Sequence, residues 1–268
     1  MDSSISCFPV KHMLLRYYVA HLYQQGLAPS SVCSHLSAIN FINQAMGGLD
    51  LFQDFLLSRM LCGYRKSYQS TPDQRLPITP SILQRLCEAN NIIATSPYHQ
   101  SLFQSMFLLA FHGFLRVGEI TVPFPNIPNP NLLQLSNLSL SHSTKSVSIT
   151  FTHYKHSTTP CTINISFKSP PFSLYHSIIQ YLVLRGTAPG PLFLDQKAPI
   201  SRSLFTSHLT RCLQKANLDT RRYKSHSFRI GAATTAINQG FTYPQVQEMG
   251  RWKSSAFKKY IRIQSFHI

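Results

Sequence analysis

Residues 225–262 read SHSFRIGAATTAINQGFTYPQVQEMGRWKSSAFKKYIR, and the rest of the chain is best understood outward from them. The stretch opens with His226 and Arg229 three residues apart and closes with Tyr260 among Lys258, Lys259 and Arg262. A phenol ringed by fixed positive charge is unusual, because nearby cations favour the phenolate form. Arginine and histidine are also the donors best shaped to hold a phosphate. Taken alone, the stretch points to a phosphate clamp beside a nucleophilic phenol. Any further clamp residues must come from upstream.

The chain has 268 residues, 43% of them hydrophobic, enough for one large domain or two smaller ones with ample core. Its formal charge is +16 with only 9 acidic residues. That balance favours a polyanionic partner, nucleic acid before membrane. Residues 1–75 hold 6 Lys and Arg against 4 acids, net +2, while residues 76–268 hold 19 against 5, net +14. The basicity belongs to the second part. Cys7, Cys33, Cys62, Cys87, Cys161 and Cys212 are far apart, so neither a zinc knuckle nor a secreted disulfide framework is expected. With no signal-peptide pattern and no run of 18 apolar residues, an intracellular, reducing location is expected, without a membrane partner.

Three helices are expected near the start. The first covers residues 10–25, with Leu14, Tyr17, Tyr18, His21 and Leu22 on a stripe, and stops at Gly26. A second begins near Ser30 after Pro29, with Val32, Leu36, Ile39 and Ala45 on one face, and ends at Gly47-Gly48. The third covers residues 51–60, with Phe52, Phe55, Leu56 and Met60 on a stripe. Such stripes are read as core. Residues 65–78, RKSYQSTPDQRLPI, have a linker composition. This gives a helical module over 1–64, a linker over 65–78 and a second module over 79–268. The second module opens on Thr79-Pro80, a cap followed by proline at the first helical position. Helices are expected over residues 82–89 and 100–111, then a loop over 123–137 rich in proline and asparagine. Two β-rich runs, 146–153 and 161–167, form a hairpin around YKHSTTP. Further helices are expected over 173–185, 201–216, 228–239, 243–249 and 254–263. The fold class is therefore mainly α with a small antiparallel β-sheet.

Four pieces stand in a telling order: Arg116 in LRVGEI, Lys155 on the hairpin, His226 and Arg229 in HSFR, and Tyr260 near the end. Each alone is a weak signal; their order and separation carry the weight. The arrangement resembles the tyrosine recombinase, or phage-integrase-like, family, and HSFRIGAAT and GRWKSSAFKKYIR look most like its members from eukaryotic mobile elements and some phages. Residues 10–60 are similar to the family's helical core-binding domain, LAPSSVCSHLSAI matching its helix start. The resemblance implies an all-α core-binding domain plus an α+β catalytic domain, closing as a clamp on double-stranded DNA. It also implies a homotetramer built of two dimers, no metal or nucleotide cofactor and no small-molecule substrate. The location would be the nucleus in a eukaryote and the cytoplasm otherwise.

The residue types suit that chemistry. Arg116 and Arg229 can stabilise the negative charge that builds on a pentavalent phosphorus. Tyr260 would attack and become a 3′-phosphotyrosine, storing the phosphodiester for rejoining. By the resemblance, Lys155 protonates the leaving 5′-oxygen and His226 assists proton movement. Lys145 and Lys168 lie nearby, but only Lys155 falls between the two β-runs. Each residue also has a plainer reading: Arg116 as an ion-pair partner of Glu119, His226 as a satisfied histidine, Tyr260 as a core aromatic. Glu119 itself is read as an orienter of the site.

Two departures from the family pattern matter. The family has His or Trp after a glycine, nine residues before the tyrosine; here Gly250 is followed by Arg251 and Trp252. Trp252 is preferred for that slot, with a one-residue shift, its indole N–H donating to the phosphate; Arg251 is the alternative. The first module also has no counterpart of the family's initial helix, which suggests a truncated or degenerate copy. The leading expectation is DNA cleavage and rejoining in site-specific or integrative recombination. The alternatives are a catalytically silent, domesticated DNA-binding protein and a type IB topoisomerase-like enzyme.

Overall fold

A computed structural model describes residues 8–69, 73–124, 127, 129–152, 159–166 and 173–262. The chain divides into two compact units, Met1–Asp73 and Gln74–Ile268.

The first unit contains α1 (His12–Gln24), α2 (Pro29–Ala45), a 3-10 turn (Leu51–Gln53) and α3 (Phe55–Ser67). Pro29 stands at the first turn of α2, where its missing N–H costs nothing. Asp54 caps α3 by accepting from the Leu57 N–H, and its carboxylate also accepts from Arg16 Nη2, with His12 Nδ1 3.1 Å away. The Arg16 hydrogen bond, then the Leu57 N–H, hold that carboxyl below the usual range.

The buried face differs from the expected stripes. Leu15, Val19, Leu22, Val32, Leu36, Leu51, Leu57, Leu61 and Tyr64 form the core. Leu14, Tyr17, Phe52, Phe55 and Leu56 are exposed, and so is Ala45. The reason is that α1 carries apolar residues on two faces, so periodicity alone could not choose between them. The cap at Asp54 starts α3 at Phe55, which turns Leu57, Leu61 and Tyr64 inward at four- and three-residue steps. α3 also runs through Ser67, into the stretch expected to be linker.

In the second unit, Thr79 caps α4 (Pro80–Ile93) and Ser96 caps α5 (Pro97–His112). The order continues with α6 (Val117–Ile120), β1 (Leu138–Ser141), β2 (Ser146–Phe151), β3 (Cys161–Ser166) and α7 (Leu174–Arg185). Then follow β4 (Leu194–Asp195), β5 (Ala198–Pro199), α8 (Arg202–Lys215), α9 (Ser227–Asn238) and α10 (Tyr243–Met249). A 3-10 helix, Ser255–Tyr260, replaces the last expected α-helix. Antiparallel strands pair in the order β1-β2-β3, so the expected hairpin gains a third strand from the residues just after the stretch read as loop. β2 alternates, with Val147, Ile149 and Phe151 facing the core.

α5 is buried almost all round, from Leu102 to Phe111, as a helix central to a domain must be. It packs against α4, α7 and α9. α9 is equally buried, and Ile78 lies fully buried beside it, donating its N–H to Ser227 O at 3.0 Å. The end of the expected linker is thus part of the second core. The approach is so close that a Cβ on Gly231 would sit 1.8 Å from the Ile78 carbonyl oxygen. Both partners are backbone, so neither can swing aside. Gly231→Ala is therefore expected to cost about 1–3 kcal/mol of stability, as core overpacking does, read as a lowered thermal midpoint.

Candidate active site

The sharp turn after α5 begins the site. Phe114 has φ +50, a left-handed conformation that costs a non-glycine residue about 1–3 kcal/mol and persists only where its surroundings enforce it. The turn delivers Arg116 to the N-terminus of α6. Glu119, one turn on, reaches back to accept from the Arg116 backbone N–H at 2.8 Å and from its Nη1 at 3.2 Å. The same buried carboxylate accepts from Arg251 Nη2 at 2.9 Å. The ion pair with Glu119 is therefore real, and it leaves Arg116 partly exposed at the site.

Arg229 projects from α9 and is fully buried. Its Nη1 donates to Phe114 O and its Nη2 to Gly250 O. Burial first, then the charge of Arg116, pull its pKa down to about 9, while Glu119 and Tyr260 act the other way. It remains a cation at neutral pH. Burial likewise pulls Arg251 down against the opposing charge of Glu119. Two guanidinium groups, those of Arg116 and Arg251, thus share one carboxylate, and Arg229 lies close enough to feel its charge, an arrangement short of negative charge that an incoming phosphate would relieve.

α10 ends at Gly250, and the next two residues reverse the chain. Arg251 N–H bonds Glu248 O at 2.8 Å and Trp252 N–H bonds Gln247 O at 3.0 Å, the paired bonds of a Schellman cap. Such a cap puts its left-handed residue at the position of Arg251, whose φ is +54. Glycine usually fills that position, yet here the glycine lies one residue earlier. Trp252 explains it: a Cβ on Gly250 would fall 1.5 Å from the indole Cζ3.

The indole lies 4.1 Å below Arg229 Cζ, a cation–π contact, and 5.1 Å from the Tyr260 ring. Its Nε1 is buried with no hydrogen-bond acceptor among the described residues. The Tyr260 ring also lies 4.8 Å from His226 and 5.7 Å from Arg229 Cζ. Thr234 ties this segment to α9, donating to Tyr260 O at 3.3 Å and accepting from Arg262 N–H at 3.0 Å.

Of the residues expected from sequence, Arg116, His226, Arg229, Trp252 and Tyr260 meet in one place. Lys155 lies outside the described residues, between Phe151 at the end of β2 and Cys161 at the start of β3. Arg251 turns away from Tyr260 toward Glu119, Gly113 O at 3.2 Å and the Phe151 ring at 3.8 Å. The carbonyls of Phe114 and Gly250 went unrecognised in the sequence, since backbone acceptors leave no residue-type signal. Among the described residues no group of three His, Cys, Asp or Glu could hold a metal, and no helix is long and apolar enough to cross a membrane.

Comparison with known proteins finds solved structures of the same fold. XerH site-specific recombinase, solved bound to palindromic difH substrate, is similar at a TM-score of 0.62 and 14% identity, covering 96% of this chain and 67% of its own. The Tn1549 transposon integrase in complex with circular intermediate DNA is similar at 0.59 and 14%, covering 96% and 83%. A lambda integrase dimer bound to a COC′ core site gives 0.58 and 14%, covering 95% and 65%. At such identities the likeness is one of fold. No curated protein matches the chain. The sequence model of the phage integrase family matches residues 83–265, more than half the chain, from within α4 to beyond Tyr260. The chain therefore belongs to the phage integrase family, the tyrosine recombinases, enzymes that recombine DNA by cleaving and rejoining its strands.

Proposed function

We propose that Tyr260 is the nucleophile of this reaction and that Arg116, Arg229 and Trp252 hold the scissile phosphate. The observation that carries the reading is the Tyr260 ring packed against His226, Trp252 and Arg229, beside Arg116 and Arg251, which share Glu119. Tyr260 Oη attacks phosphorus and the P–O5′ bond breaks, leaving a 3′-phosphotyrosine. His226 assists removal of the phenol proton, and Lys155 supplies a proton to the leaving 5′-oxygen. The non-bridging oxygens gain charge as this happens, and the arginine donors then count for most. Attack by the free 5′-hydroxyl reverses the step and rejoins the strand. The test is incubation with a suicide duplex, nicked so that the 5′-product diffuses away, followed by a denaturing gel for covalent adduct.

The substrate in this reading is double-stranded DNA, gripped by both units, with residues 1–64 as a core-binding module and 79–268 as the catalytic one. The assembly on DNA is a tetramer of two dimers, which the lambda integrase dimer supports by analogy. A mobile element as the source agrees with the Tn1549 likeness. The nucleus would be the working location in a eukaryote and the cytoplasm otherwise. Since most of the charge lies in residues 76–268, phosphate contacts should dominate binding. Six to ten such contacts would lose ~10³–10⁵ in affinity between roughly 50 and 200 mM salt, and a flat salt titration would defeat the DNA-binding assignment.

A further inference from the structure

Arg251 is a residue whose cost is plain and whose purpose the cleavage chemistry does not supply. It sits in the left-handed position of the α10 cap, where glycine would be easier, and its guanidinium is removed from solvent. The side chain makes three contacts that reach three separate parts of the fold. Nη2 meets Glu119 Oε2 at 2.9 Å, on the short helix that follows Arg116. Nη1 meets the carbonyl of Gly113 at 3.2 Å, at the end of α5. The guanidinium plane lies 3.8 Å from the ring of Phe151, the last residue of β2.

Those contacts interlock with those of Arg229. Arg251 holds the carbonyl of Gly113, and Arg229 holds that of the next residue, Phe114. Arg229 also takes the carbonyl of Gly250, the residue before Arg251. Two strained turns, at Phe114 and at Arg251, are therefore stitched together by two guanidinium groups. On one side of the stitch stands Arg116; on the other stand Trp252 and, eight residues on, Tyr260. Glu119 is the common point, because one of its oxygens faces Arg116 Nη1 while the other accepts from both the Arg116 N–H and Arg251.

We propose that Arg251 is a positioning residue of the cleavage site: its buried guanidinium locks the Gly250–Trp252 turn onto Glu119 and so registers Trp252 and Tyr260 against Arg116. This rests on the reading of Tyr260 as nucleophile. The residue touches no substrate; it acts through the carboxylate it shares with Arg116. A lysine cannot replace it fully, since a single ammonium cannot reach a carboxylate and a carbonyl in one plane while stacking on a ring.

Trp252 is the only tryptophan of the chain, so its fluorescence reports this register without any need for catalysis. The experiment compares wild type with Arg251→Gly, Arg251→Lys, Glu119→Gln and the Arg251→Gly/Glu119→Gln double variant. Each is measured for thermal midpoint, acrylamide quenching of Trp252, DNA affinity, and single-turnover adduct rate at saturating suicide duplex. Arg251→Gly eases the backbone of the cap, so a purely capping role predicts an unchanged or higher midpoint with normal quenching and rate. Positioning predicts stronger quenching and an adduct rate lower by about 10²-fold, the cost of a small misplacement, at unchanged affinity. Arg251→Lys should recover part of both signals. The double variant should lose less than the two single losses combined, since the Arg251–Glu119 contact is counted in both, the remainder being the bonds of Glu119 to Arg116. Normal quenching and rate in Arg251→Gly, or fully additive effects in the double variant, would overturn the proposal. Should Arg251→Gly fail to fold, Arg251→Lys and Glu119→Gln must each raise quenching for the proposal to stand. A wild type that forms no adduct defeats the reading of Tyr260, and the quenching series then decides the role of Arg251 by itself.

Discussion

Tyr260→Phe forms no covalent adduct on a suicide duplex, while its DNA affinity and thermal midpoint match wild type: that is the expected result with the largest effect. The substitution removes one oxygen and keeps the ring. The contacts of that ring with His226, Trp252 and Arg229 are made by its face and edge, so the packing survives. Affinity rests on many phosphate contacts, none of which needs the phenol. The covalent step needs it absolutely, since no other atom on that ring can attack phosphorus. Adduct persisting in Tyr260→Phe would place the nucleophile elsewhere, with buried Tyr223 and exposed Tyr243 the next to examine. A wild type that binds DNA normally yet traps no adduct on any nicked duplex would make the chain a silent relative.

The second large effect is expected at Arg229. Losing one donor to the developing charge typically costs about 10²–10³ in rate, or ~3–4 kcal/mol. Here the substitution must be chosen with care. Arg229 also satisfies the carbonyls of Phe114 and Gly250 inside the protein. Alanine would leave both unpaired and open a hole over Trp252, at a cost of about 1–3 kcal/mol for each orphaned group. Arg229→Lys keeps the charge and part of the volume, and isolates the loss of the planar fork. Cleavage at saturating DNA should fall by the range above, with affinity falling far less because one phosphate contact among several is weakened. Equal losses in affinity and in rate per bound enzyme would mean that Arg229 grips the ground state as firmly as the transition state.

The site was legible in the sequence to the extent that chemistry is carried by residue type. A His-x-x-Arg pair, a second arginine after an apolar helix and a tyrosine in basic surroundings pointed to the roles proposed for them. Capping and proline signals, Pro29 and Thr79-Pro80, likewise marked helix starts locally; the Ser96-Pro97 start of α5 carries the same signal three residues before the start expected at 100. Inward faces were harder. In α1 both Leu14 with Tyr17 and Leu15 with Val19 and Leu22 make apolar stripes, and only packing against α3 selects the second. The strand β1 was hidden because Leu138–Ser141 is short and pairs only with a partner already formed.

The residue types, their order and the concentration of positive charge in residues 76–268 belonged to the sequence, because they require no knowledge of where the chain goes. Which of Arg251 and Trp252 faces Tyr260 belonged to the tertiary structure. It turns on the left-handed φ of one residue after α10, and that conformation is held by a carboxylate 132 positions away. No local preference favours an arginine there; the buried partners in Glu119, Gly113 and Phe151 outweigh the strain, and they exist together only once the fold has formed.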